Sequence, residues 1–341
     1  MAVVSSIAAT PVRPFPPYAR SWVDRLTRAV DRLPGPYWAA YWIAGLLFLA
    51  LLTALYLRAG LPLTSEFVYS NILPFYGFWL IHYLNRRATA SLEAFRPAFT
   101  GDDDELKALH WRLTVLPPWP TAVVALVTIT IAVISSLTWP WTGLPAILAN
   151  LAYVATVVVL GGLYAYHAIR QLRLATWIYA ERARVDLYHL APLYSFSALS
   201  AHTAIGMLLM LSGAVVFTPS GLVGGFLIGL IAFSLLAVLT FLLPLVGLHR
   251  RLVEAKEREL AENSRRWQVC MNAVYDLVDR GELMSADKVN TTLSALERGR
   301  AVIERVPTWP WRPETPRTVL AALVLPVGIS VLQALLRAFV T

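Results

Sequence analysis

Charge is what this sequence has least of. Only 15% of its 341 residues are Asp, Glu, Lys or Arg, against 57% hydrophobic, whereas a water-soluble domain carries roughly 25% charged residues. So little charge cannot cover a soluble globule of this length, and the same hydrophobicity excludes a disordered chain. Lysine is nearly absent, with three residues beside 26 arginines. A single cysteine, Cys270, excludes an internal disulfide and any cysteine-based metal cluster. Also missing are a P-loop, a dinucleotide-binding glycine fingerprint, a GxSxG elbow, a kinase signature and an HExxH pair, so no motif nominates an enzyme. The opening stretch MAVVSSIAATPVRPFPPY has no basic region followed by a long apolar run and does not read as a secretory signal.

What is present is a series of long apolar runs. A helix that crosses a bilayer needs about 20 consecutive, mostly apolar residues. Seven runs free of Asp, Glu, Lys and Arg come close to that length: Tyr37–Leu57, Phe67–Leu84, Leu116–Leu137, Leu144–Tyr166, Pro192–Val216, Leu222–Leu248 and Thr318–Leu336. The fold expected is all-α, a polytopic bundle of seven membrane helices. The fifth run is polar at its start, so its apolar stretch is expected from about Ala204. The seventh holds Pro326 and Gly328 and is expected to kink or to re-enter the membrane.

The basic residues orient these runs. The connections 1–36, 85–115, 167–191 and 249–317 hold 27 of the 29, leaving only Arg58 and Arg337 on the other side. By the positive-inside rule the N-terminus and these four segments are cytoplasmic, in a multi-pass protein of the cell membrane. Tryptophans flank the runs, among them the two Trp-Pro-Trp triplets at 139–141 and 309–311, where an amphipathic ring suits the headgroup layer. Four segments follow: an N-terminal part, 1–36, with an amphipathic helix over 21–33; a six-helix bundle, 37–248; a cytoplasmic helical hairpin, 249–317; and a last membrane helix, 318–341. Ser21 and Asp24 fit a capping box for the first helix, which is expected either in the headgroup layer or packed on the protein. The fourth run continues without a breaker to about Val185. The sixth continues to Gly281, with Val253, Leu260, Trp267 and Val274 seven apart in an apolar seam beside Met271 and Val278. Ser285 is the expected cap of the returning arm.

No Asp, Glu, Lys or Arg lies within the runs, which argues against a proton- or ion-coupled carrier. Asn71, Asn150 and Gln333, with the breakers Pro326 and Gly328, are the candidates for a pore or gate. Gly221, Gly225 and Gly229 form a ridge at spacing four, suited to close helix packing. His82, His167, His202 and His249 fall at the inner ends of four runs and are the candidates for holding a metal, although no carboxylate accompanies them at ligand spacing; no cofactor is expected. Asp102, Asp103, Asp104 and Glu105 either cap a helix over 106–113 or bind a divalent cation.

The partners expected are the lipid bilayer, further copies of the chain and a cytoplasmic protein, with no nucleic acid. The leading functional expectation is a homo-oligomeric ion channel or channel-like membrane sensor with the seventh helix near the pore. The alternative is a membrane scaffold or signalling protein that docks partners through the helical hairpin, and the third is a membrane enzyme using the inner-face histidines. In topology alone, with the N-terminus inside, seven spans and a helical cytoplasmic anchor, the chain resembles the insect chemoreceptor channels.

Overall fold

A computed structural model describes residues 15–60, 62–137, 142–217, 225–281 and 283–340. Eleven α-helices run through them: α1 Trp22–Asp31, α2 Tyr37–Arg58, α3 Ser65–Phe95, α4 Asp103–Thr114, α5 Pro118–Ser136, α6 Leu144–Thr156, α7 Ala165–Glu181, α8 Ser195–Phe217, α9 Gly225–Asp279, α10 Leu283–Arg305 and α11 Glu314–Val340. A π-helical stretch, Val157–Tyr164, joins α6 to α7. The only β pairing among the described residues is an isolated bridge between Phe99 and Ala183.

Six stretches are long and apolar enough to cross a membrane: Tyr37–Arg58, Asp103–Ser136, Ala146–Glu181, Ala191–Phe217, Ile228–Asp279 and Glu314–Gln333. The expected second span, 67–84 in α3, is not among them. Its apolar character is largely aromatic, and Asn71, Pro74, His82 and three tyrosines dilute it. The last helix is continuous through Pro326.

The chain divides into two compact units, one of residues 1–89 with 101–170 and the other of 90–100 with 171–341. In the first unit, α2 and α3 pack antiparallel through aromatic pairs: Trp42 with Trp79 (6.5 Å between ring centroids), Phe48 with Phe75 (5.6 Å) and Tyr56 with Phe67 (4.3 Å). Such pairs contribute about 0.5–1.5 kcal/mol each beyond their buried area. The π stretch is the packing centre. A Cβ at Gly77 of α3 would lie 2.7 Å from Leu160, and one at Gly162 would lie 2.7 Å from the Thr128 hydroxyl of α5. Two glycines on different helices thus let backbones approach where the helix widens, the kind of close approach that sustains helix association without a hydrophobic driving force.

In the second unit α8 is the most enclosed of the long apolar helices, and both α9 and α11 pack on it. The polar start that set its expected apolar stretch back to Ala204 is itself buried. Ser197 donates to the Tyr194 carbonyl (2.6 Å), Ser200 to Ser197 (3.1 Å) and Thr203 to Leu199 (3.0 Å), so these three hydroxyls are satisfied by carbonyls three or four residues back. Phe95, Tyr179 and Phe196 form a ring cluster nearby, in which the Tyr179 hydroxyl donates to the Leu193 carbonyl (2.6 Å) and accepts from the Phe196 N–H (3.1 Å). The hairpin of α9 and α10 turns at Gly281, whose φ of +74° favours glycine after a helix end. It is tied by Asn263 to the Leu296 carbonyl (3.1 Å) and by Lys256 to the carbonyls of Glu304 and Val306 (2.7 and 2.9 Å). The returning arm starts at Leu283, ahead of the expected Ser285 cap.

Candidate functional site

The densest polar chemistry lies in the first unit, where α1 meets the ends of α3 and α4. Ser21 and Asp24 close the capping box: the Asp24 N–H donates to the Ser21 hydroxyl (3.3 Å) and Asp24 Oδ2 accepts from the Ser21 N–H (3.0 Å) and Oγ–H (2.6 Å). The same carboxylate accepts from the Leu116 N–H at 3.1 Å, just ahead of the proline-started helix α5. Burial raises the Asp24 pKa above its ordinary value, against the lowering pull of these donors.

Arg170 on the α7 extension completes this knot. Its guanidinium donates to the carbonyls of Arg112 and Val115, where α4 ends, and to the Tyr18 hydroxyl. Tyr18 in turn donates to the Val115 carbonyl (2.7 Å), and its own carbonyl accepts from Trp111 Nε1–H (3.2 Å). A cation at a helix C-terminus opposes the macrodipole there. In the second unit Arg251 plays the same part for α7, donating to the carbonyls of Tyr179 and Ala180 (2.6 and 2.8 Å).

The helix α1 turns its faces in an unexpected way. The side buried against the protein carries Val23, Asp24 and Thr27, while Trp22 and Leu26 on the apolar side remain 45% and 37% exposed. Of the two settings expected for this helix, packing on the protein is the one seen, and Trp22 also meets the Phe78 ring of α3 edge-on (6.0 Å between centroids). The packed face is mixed, with Val23 fully buried beside Asp24 and Thr27, while Arg25 and Arg32 are exposed.

Beside this face lies a hydrogen-bonded chain. His82 Nε2 contacts Asp31 Oδ1 (3.2 Å), His82 Nδ1 meets the Tyr41 hydroxyl (3.1 Å), and Arg86 shares the Asp31 oxygen (3.1 Å). Both ring nitrogens of His82 are thereby engaged. A cavity of about 280 Å³ opens between α1, α3 and α4, with Arg20, Arg28, Arg86 and both aspartates on its wall.

The other histidines have separate partners. His167 Nε2 meets Asn85 Oδ1 (2.7 Å), and His202 Nδ1 lies against the Ala198 carbonyl. His249 Nδ1 meets the Thr308 carbonyl (3.0 Å). Among the described residues no group of three or more His, Cys, Asp or Glu side chains is arranged to hold a metal ion. The His249 ring stacks on Trp309 (4.0 Å), which stacks on Trp311 (4.5 Å), which lies on Phe241 (5.5 Å). The second Trp-Pro-Trp triplet is thus an aromatic clamp between the inner part of α9 and the entry to α11. The first triplet, Trp139–Trp141, lies outside the described residues.

The pore and gate candidates are placed as follows. Asn71 is buried and donates to the Phe67 carbonyl (2.7 Å), and Asn150 donates to Ala146 (3.0 Å), each one turn back on its own helix. On α11, Gln333 donates to the Val215 and Val216 carbonyls of α8 (both 3.3 Å), and Ser330 donates to the Pro326 carbonyl (2.8 Å). Nothing lies within 4 Å of where a Cβ would stand at Gly328 or Gly229. Gly225 begins α9, and Gly221 lies outside the described residues. The close-packed glycines are instead Gly77 and Gly162, which neither spacing nor neighbours in the sequence distinguish from other glycines. The acidic run caps α4: Asp102 Oδ1 accepts from the Glu105 N–H (2.6 Å) and Lys107 pairs with Asp104 (2.8 Å).

A larger cleft of about 540 Å³ in the second unit lies between 184–188 and α9. Its charges are mixed and in part engaged, since Glu262 pairs with Arg265 and Arg266 (2.9 and 2.8 Å). Compared with protein-family models, curated proteins and solved structures, the chain matches none, so its function has to be argued from these residues.

Proposed function

We propose that this protein is a membrane-embedded, self-associating scaffold of the signalling type, with its N-terminus and its α9–α10 hairpin in the cytoplasm. The observation that carries the reading is the exposed far end of the hairpin seam. The helix α9 is continuous for 55 residues, from the apolar stretch 228–248 into a charged arm. Near the membrane end of that arm the seam residues Val253 and Leu260 are half-buried, level with the Lys256 and Asn263 ties to α10. Farther out, Met271 and Val274 are half-buried, while Trp267 and Val278 are 39% and 49% exposed, with Tyr275 exposed on the same side and Val269 on the other. Large apolar side chains left partly in water at the end of a long helical arm suit a second copy of the same helix.

The placement of the polar groups of α11 favours the scaffold over the channel. A conduction path needs polar groups turned to an axis, and Gln333 and Ser330 are held on carbonyls of α8 and of their own helix. The cytoplasmic orientation is supported by the distribution of 27 of the 29 basic residues.

The test is the mass of the purified protein in detergent. An oligomer in the wild type that shifts to monomer in Trp267→Glu/Val278→Glu is the expected result, and a wild-type monomer at micromolar concentration overturns the proposal. Steady conductance of the intact oligomer in planar bilayers would return the channel reading in its place.

A further inference from the structure

We infer that the cavity between α1, α3 and α4 is a binding site for a phosphate group, the headgroup of an anionic phospholipid or a small soluble phosphate ester. Its volume of about 280 Å³ lies just below the roughly 300–1,000 Å³ that encloses a drug-sized ligand, which suits a headgroup or small ester. Its lining residues are polar or charged except Val115, and three arginines face two aspartates there.

The two carboxylates of the wall are already engaged. Asp31 is held by Arg86 (3.1 Å) and His82 (3.2 Å). Asp24 accepts from Ser21 and from the Leu116 N–H, and its burial favours the protonated form. Two guanidiniums remain. The Arg20 guanidinium carbon lies 4.5 Å from the Trp111 ring centroid, a cation–π contact that engages the face of the ring. Arg28 makes only a long contact of 3.4 Å to the Asp24 carbonyl. Among the described residues neither arginine is paired with a carboxylate. Planar N–H forks of this kind bind phosphate oxygens two at a time. Asn85 adds a donor on the same wall, because His167 occupies its carbonyl oxygen (2.7 Å) and leaves the amide N–H pair.

The setting favours a phosphate that arrives on a lipid. Trp22 and Leu26 stand exposed on the opposite side of α1, as they would in a helix lying at the headgroup level. With that strip resting on the bilayer the cavity is brought to headgroup level, where a lipid phosphate would meet Arg20 and Arg28, whereas a soluble ester would use the cavity alone.

The experiment uses the full-length protein in detergent, with lipid retention read by native mass spectrometry after exchange into mixed phosphatidylcholine and phosphatidylglycerol. A parallel arm titrates inorganic phosphate by calorimetry. The expected result is retained phosphatidylglycerol in preference to phosphatidylcholine, reduced at least tenfold in Arg20→Gln/Arg28→Gln and partly kept in Arg20→Lys/Arg28→Lys. Arg25→Gln removes a charge from an exposed position of α1 outside the cavity wall and should leave retention unchanged. Saturable phosphate binding that is lost in the same double variant, without lipid retention, would assign the soluble source. Binding in neither arm overturns the site, as does an equal loss in Arg25→Gln, which would reduce it to general attraction between a basic helix and anionic lipid.

Discussion

The Asp24 carboxylate accepts the backbone N–H of Leu116, 92 residues farther along the chain, at 3.1 Å. One side chain thereby closes the capping box of α1 and satisfies a donor at the α4–α5 junction, which Pro117 and Pro118 leave without a helical ladder. Asp24→Ala removes both, an N-cap contribution and a buried donor, and should cost about 2–4 kcal/mol. Asp24→Asn keeps an acceptor and should cost less. Because burial raises the Asp24 pKa above 3.8, the folded state binds more protons than the unfolded chain between 3.8 and that raised value. The Asp24 contribution to stability therefore falls as pH rises through this window. Thermal unfolding in detergent at several pH values should show Asp24→Asn gaining on the wild type with rising pH. A constant difference would exclude the titration.

Arg170 should be harder to replace than its exposure suggests. Its guanidinium ends α4 by way of two carbonyls and also holds Tyr18. Arg170→Met leaves those carbonyls unsatisfied and is expected to destabilise the first unit by on the order of 2–3 kcal/mol. Arg170→Lys should recover only part, because a point charge cannot address three acceptors in the geometry of a fork. The readout is protease sensitivity of the segment before α2. Unchanged cleavage in Arg170→Met would mean that the knot does not hold that segment.

The two kinds of glycine should separate cleanly. A Cβ at Gly162 would stand 2.7 Å from the Thr128 hydroxyl and 2.8 Å from its methyl. Gly162→Ala is therefore expected to cost about 1–3 kcal/mol, and Thr128→Ala should rescue it by clearing those atoms. Gly229→Ala meets open space and should leave the melting temperature of a dispersed monomer unchanged. If Gly229→Ala instead weakens assembly, the ridge of α9 works between copies.

What could be read from the sequence is what neighbouring residues decide. The capping box at Ser21 and Asp24, the acidic cap of α4 and the glycine end of α9 are all contacts within a few positions, and each occurs as the spacing predicts. Long apolar runs fix six helices because membrane length is a local requirement. Periodicity reveals that α1 has two faces, but what covers each depends on Leu116 and Arg170, far away in the chain. Hence the burial of Asp24 and Thr27 was not legible. The basic residues illustrate the same limit. Their tally gives an orientation, yet Arg170, Arg251 and Lys256 each serve a helix C-terminus, a role set by tertiary neighbours. The π stretch at Val157–Tyr164 was hidden for a related reason, since α-helix and π-helix share the same apolar composition.

The orientation can be tested with the chain's own chemistry. Cys270 is the only cysteine, free and half-buried on the hairpin arm of α9, so a maleimide reports one position without engineered background. If that arm is cytoplasmic, a membrane-impermeant maleimide should leave Cys270 unlabelled in intact cells and label it in inverted vesicles or after permeabilisation. Its partial burial slows the reaction, so the comparison is between the two preparations and against the detergent-opened maximum. Cys270→Ser removes the signal and identifies it. Labelling in intact cells would invert the orientation, placing on the outer surface the basic segments that the positive-inside rule assigns to the cytoplasm, and with them the hairpin on which the scaffold reading rests.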